Sequence, residues 1–146
     1  MSCILTIAVK NFDVDTFISV SKLKLYKISY KGQPKFKTKP NSEKLSHSLL
    51  SIETSNADFN NLNKQITATV CFLKRNKEKL SHIALTKGID HAILDFGIDL
   101  RIDREKVLYQ SDRIPSELLK LAGNLGLDIQ LLIYPADMQE ILERRT

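Results

Sequence analysis

Hydrophobic positions along the chain follow two periods, and the switches between them mark the elements. Residues 4–9 (ILTIAV) are short and β-branched, and they predict a strand with Leu5, Ile7 and Val9 on one face and Ile4, Thr6 and Ala8 on the other. Asp13 then caps a helix over residues 14–21, where Val14, Phe17, Ile18 and Ser21 share a side. Residues 25–30 give a second strand that stops at the turn Lys31-Gly32-Gln33-Pro34. Residues 34–46 are Lys-rich with little periodicity, as expected of an exposed loop or an irregular hairpin arm. Alternation resumes over residues 48–54, a third strand with Leu50 and Ile52 inward and Ser51 and Glu53 outward.

The strongest helical stripe is Phe59, Leu62, Ile66, Val70 and Leu73, which predicts a helix over residues 58–75 capped by Ser55 or Asn56. After a break near Asn76, residues 76–87 carry Leu80, Ile83 and Ala84 on a second helical piece that Gly88 terminates. Residues 91–103 show the cleanest period of two. Ala92, Leu94, Phe96, Ile98, Leu100 and Ile102 fall on one side, and His91, Ile93, Asp95, Gly97, Asp99, Arg101 and Asp103 on the other. That pattern predicts an antiparallel strand with one wet face. Pro115 opens a helix through Asn124, with Leu118, Leu119, Ala122 and Leu125 inward and Gly126 as its stop. Residues 129–134 form a further strand. Pro135 begins a last short helix bearing Met138, Ile141 and Leu142, with Arg144 and Arg145 suited to its C-terminus.

The first six elements match a ferredoxin-like split β-α-β arrangement with additions. One-sided strands of this kind make an α+β fold, a mainly antiparallel sheet with helices on one face. No repeat, low-complexity tract or linker interrupts the 146 residues, so the expectation is a single α+β domain over 1–146. At 42% apolar and 27% charged the composition is that of an ordinary globular chain, large enough to close a core without a disulfide or metal. No stretch of 18 uncharged apolar residues predicts a membrane span, and residues 4–9 are too short for a signal core. A soluble, cytoplasmic protein is expected. Cys3 and Cys71 sit in apolar patterns, which favours buried free thiols over a disulfide between them.

Charge changes the picture in one respect. The net +5 is carried by the first third, where residues 1–52 hold nine lysines against three acidic residues. Within it, Lys22, Lys24, Lys27, Lys31, Lys35, Lys37 and Lys39 interleave with Tyr26, Tyr30 and Phe36. Bases stack on aromatics beside cations, so this segment suits single-stranded nucleic acid. The same residues also suit a lysine-protected strand edge with the aromatics turned inward, and the absence of arginine favours that alternative. Asp95, Asp99 and Asp103 recur on one strand face at intervals of four. They form an acidic stripe offered to a basic partner, or a solvated face screened by Arg101.

Reactive chemistry is sparse. The chain has three histidines, His47, His82 and His91, and no Gly-x-Ser-x-Gly elbow. His91 with Asp95 is the single pair that would merit testing as an unfamiliar catalytic site. The cysteines are far apart, no histidine pair has helical spacing, and no Gly-rich phosphate loop exists, so neither a metal nor any cofactor is expected. Gly97 in mid-strand suggests a bulge or a close approach of another backbone.

Several stretches carry a family resemblance. They are the short N-terminal strand and helix, the turn Lys31-Gly32-Gln33-Pro34, the long helix over 58–75, and the closing Pro115-Ser116-Glu117-Leu118-Leu119. After that come Leu125-Gly126-Leu127-Asp128-Ile129 and Leu131-Leu132-Ile133-Tyr134. Through them the chain resembles the bacterial family catalogued as domain of unknown function 4279. Members usually carry a Trp in the strand before the long helix, where this chain has residues 49–52 and no Trp. The family has no established activity, so the resemblance implies a small bacterial cytoplasmic protein of an accessory or toxin-immunity type. Charge segregation without a reactive constellation points the same way, to a non-catalytic protein-protein interaction module. Lys22 to Lys37, Tyr26, Tyr30, Asp95, Asp99 and Asp103 are its candidate contacts, and homo-oligomerisation is left open.

Overall fold

A computed structural model of the chain describes residues 2–10, 13–103 and 105–135. Nine elements follow in order: β1 (Cys3–Val9), α1 (Val14–Ser21), β2 (Lys27–Ser29), β3 (Ser48–Ser55), α2 (Leu62–Arg75), α3 (Lys77–Leu85), β4 (Ile89–Asp99), α4 (Ser116–Asn124) and β5 (Asp128–Tyr134). The five strands form one sheet in the order β2-β3-β1-β4-β5, antiparallel throughout except for the parallel pair β4 and β5. Its first four strands have the split β-α-β connectivity expected from the sequence. The helix α4 adds β5 beyond them as a parallel edge.

The core lies on one side of this sheet. Cys3, Leu5, Ile7 and Val9 of β1, Leu50 and Ile52 of β3, and Ala92, Leu94, Phe96 and Ile98 of β4 pack against Phe17, Leu62, Ile66, Leu73, Leu80 and Leu118 in one cluster. All four helices contribute to that cluster, so among the described residues the opposite face of the sheet is helix-free. Alternation along β1 then places Ile4 and Thr6 on the helix-free face, half-buried between their neighbours.

Three boundaries differ from the sequence reading, each for a physical reason. The strand expected over 91–103 is β4 and ends at Asp99, because its partners end there. Asp99 aligns with Tyr134, the last residue of β5, and β1 pairs no further than Phe96. Leu100 and Ile102, expected inward, are therefore exposed. The second strand shrinks to Lys27–Ser29, the stretch that aligns with residues 49–51 of β3. The long helix starts at Leu62, where the Asn61 side chain accepts the Lys64 amide at 3.1 Å; Asp58 and Phe59 lie outside it.

Phe59 leaves the helical stripe for another contact. Its ring covers Gly97, where an added Cβ would sit 2.8 Å from Phe59 Cε1, and it stacks on Tyr134 with centroids 5.2 Å apart. Gly97 is hemmed in by backbone as well: its amide donates to Ser2 O at 2.7 Å and its carbonyl accepts from buried Gln65 Nε2 at 2.8 Å. The close approach expected at this glycine is real, and a ring as well as a backbone makes it.

Gly88 and Gly126 adopt positive φ where helices were expected to stop. Leu119, expected inward on α4, is half exposed. Neither cysteine is bridged. Cys3 is buried, and burial pushes its thiol up to about 11; Cys71 is exposed, contrary to expectation, because its position on α2 falls off the apolar stripe. Met138, Ile141 and Leu142 of the expected last helix lie outside the described residues. Among the described residues no helix is long and apolar enough to cross a membrane.

Candidate functional site

The lysine segment lies along the β2 edge. Beyond β2 the chain closes into an irregular hairpin arm, held by Gly32 N to Leu45 O at 2.9 Å, Lys35 N to Glu43 O at 2.8 Å and Leu45 N to Gln33 O at 2.9 Å. Lys22, Lys24, Lys27, Lys31, Lys35, Lys37 and Lys39 are all exposed. Lys35 pairs with Glu43 at 3.6 Å, and Lys31 Nζ donates to Lys10 O at 3.4 Å. Tyr26, Tyr30 and Phe36 also point outward rather than into the core, and the Tyr30 hydroxyl donates to Asp15 at 3.1 Å. A shallow hollow gathers Lys24 and Tyr26 with Leu25 and Glu53; the remaining lysines trail along the edge and the arm.

The three aspartates do not form a stripe. Asp95 projects from the centre of the helix-free face and Asp99 from the end of β4. Asp103 lies past the strand in a tight turn, where its Oδ1 accepts the Glu105 amide at 2.8 Å and its backbone bridges to Val107. Arg101, expected to screen them, is bound instead to Asp112 at 2.6 Å.

The strand register assembles a cluster that sequence spacing conceals. Ala8 sits between Leu49 and His91, which brings the start of β3 against the start of β4. Asp90 Oδ2 then lies 3.2 Å from both His47 Nε2 and His91 Nδ1, and Ser46 Oγ lies 2.8 Å from His47 Nδ1. The hydrogen bond from His91 holds the Asp90 carboxyl below its usual range. This cluster ties β3 to β4. Among the described residues no group of three or more His, Cys, Asp or Glu side chains could hold a metal ion. His91 hydrogen-bonds to Asp90, and its interaction with Asp95, its expected partner, is electrostatic only.

On the helix-free face a cleft of about 170 Å³ opens over β1 and β4, lined by Ser2, Ile4, Thr6, Ser51, Asp95, Gly97 and Leu132 with Phe59 and Tyr134. Partial burial pushes the Asp95 carboxyl up, opposed by the Thr6 hydroxyl and by the nearby His91.

Exposed large apolar side chains fall mostly late in the chain. Of the thirteen large hydrophobic side chains exposed among the described residues, eight lie between Leu100 and Ile133. Leu108 and Tyr109 are the most exposed of them on the β4–α4 connection. That connection is anchored to β5 where Leu100 N donates to Tyr134 O at 2.7 Å. On β5 itself Leu131 is 36% exposed and Ile133 56%. The two sheet edges therefore differ. One is a three-residue strand carrying Lys27 and continued by the lysine arm; the other is seven residues long, without a lysine, and has exposed aliphatics. Short, lysine-bearing edges resist pairing, and long apolar ones invite it.

A scan against protein-family models finds no match, and searches of curated proteins and of solved structures find none at significance.

Proposed function

We propose that the protein is a non-catalytic interaction module that takes a protein partner on the β5 edge and the apolar surface beside it. One observation carries this reading: the edge strand β5 bears the exposed aliphatics Leu131 and Ile133 and lacks the protection its opposite edge has. Monomeric soluble proteins rarely leave large apolar patches open unless something docks on them. A partner strand added to β5 would take up its outward amides and carbonyls, with Leu131 and Ile133 filling pockets on the partner. The lysine arm at the other edge supplies the charge that steers encounter rather than the surface that holds. An accessory or immunity role in a bacterial cytoplasm, and membership in the domain of unknown function 4279 family, belong to the same proposal.

Site-specific photo-crosslinking tests the surface. A crosslinking residue at Ile133 or Leu108 is expected to trap one discrete partner from host extract, and the same residue at Lys27 is expected to trap none. Equal trapping at both edges, or trapping at Lys27 alone, would remove the β5 assignment.

A second reading rests on the outward Tyr26, Tyr30 and Phe36 among exposed lysines, which present stacking surfaces beside cations. It assigns the arm to single-stranded nucleic acid.

A further inference from the structure

The cleft on the helix-free face holds a carboxylate that no cation of the described residues approaches to ion-pair distance, His91 acting on it only from farther away. Asp95 is half-buried, the Thr6 hydroxyl is its neighbour, and no lysine, arginine or histidine forms an ion pair with it among the described residues. A carboxylate withdrawn from water is left short of solvation, and a cation brought to it restores what burial removed. The surroundings suit an organic cation rather than a metal. Asp95 is the sole acid lining the cleft among the described residues, with serine and threonine hydroxyls and the aliphatic Ile4 and Leu132 around it. Hard divalent ions need several oxygen ligands, commonly from more than one carboxylate.

We infer that the cleft over Asp95 is a receptor for a cationic side chain, a guanidinium foremost, carried by a protein or peptide ligand. A guanidinium offers a fork of N–H donors that matches both carboxylate oxygens, and the Ser51 hydroxyl lines the cleft to accept a further one. The methylene stem lies against Ile4 and Leu132, so its apolar surface is covered while the charge is neutralised. A volume of about 170 Å³ takes the head and part of the stem of one such side chain. This site is on the sheet face, away from the outer edge of β5, and stands or falls separately from the edge proposal.

The test uses N-acetyl-arginine amide as the probe and N-acetyl-citrulline amide as its uncharged counterpart, titrated into isotope-labelled full chain. The arginine probe is expected to shift the amide resonances of Thr6, Asp95 and Leu132 saturably, with citrulline at least 10-fold weaker, about 1.4 kcal/mol. Asp95→Asn, which keeps shape and an acceptor for Thr6, is expected to lose the arginine response by a similar factor. Its spectrum in the absence of probe reports that the fold is intact. Absence of saturable shifts, equal response to both probes, or full binding by Asp95→Asn would each overturn the assignment.

Discussion

Aspartate in place of Leu94 is expected to leave the chain unfolded, and aspartate at the adjacent Ile93 to leave it folded. Leu94 is fully buried at the centre of β4, on the side that all four helices cover. Removing its side chain alone would cost about 2–5 kcal/mol. Burying an unpaired carboxylate in its place adds an effective penalty of several kcal/mol more. Together these reach well into the roughly 5–15 kcal/mol by which a domain is stable. Ile93 faces the helix-free side and is half-buried, so the same substitution there loses little more than strand propensity, on the order of 1 kcal/mol. Far-UV circular dichroism with urea titration reads both. A cooperative transition in Leu94→Asp like that of the parent, or an unfolded Ile93→Asp, would contradict the one-sided packing.

The second large effect concerns binding. Lysine at both Leu131 and Ile133 is expected to weaken partner affinity at least about 100-fold, near 2.7 kcal/mol. Two mechanisms add. The new ammonium groups would have to be desolvated against an apolar partner surface, and an edge bearing lysines discourages strand addition in the way β2 does. Since both side chains are already open to water, folding stability should move by no more than about 1 kcal/mol. Reversing Lys31, Lys35 and Lys37 to glutamate is the comparison. Those charges lie at the far edge, so the effect should be confined to association rate and its salt dependence. Undiminished equilibrium affinity in the double lysine variant, measured by titration calorimetry with the trapped partner, would rule this surface out.

Much of the fold was legible in the sequence because it follows from periodicity. The alternation of Leu5, Ile7 and Val9 and that of Ala92, Leu94, Phe96 and Ile98 both mark the buried side of the sheet. The spacing of Leu62, Ile66, Val70 and Leu73 marks the face that α2 presents to it. Lengths were less legible, because a strand lasts only while it has a neighbour. Leu100 and Ile102 continue the pattern of β4 although neither β1 nor β5 reaches them. Phe59 keeps helical spacing with Leu62, yet its ring is claimed by Gly97 and Tyr134, a tertiary contact that no local pattern encodes.

The candidate sites divide along the same line. Asp95 was legible as a wet-face residue of β4, whereas its separation from Asp103 depended on where the strand ends. The Asp90 cluster joins His47 to His91 across two strands, and register alone produces it. The apolar surface was hidden too. Leu119 sits in a helical pattern that predicts burial yet is half exposed on α4, and Leu131 and Ile133 are open on the edge strand β5.

Hydrogen exchange of the β5 backbone amides, in the chain alone and with the trapped partner, measures the open edge most directly. Alternate amides between Ile129 and Ile133, those pointing away from β4, should exchange fast in the chain alone and slow at least about 100-fold once the partner is bound. Strong protection of every β5 amide before any partner is added, or fast exchange that persists in the complex, would contradict the account.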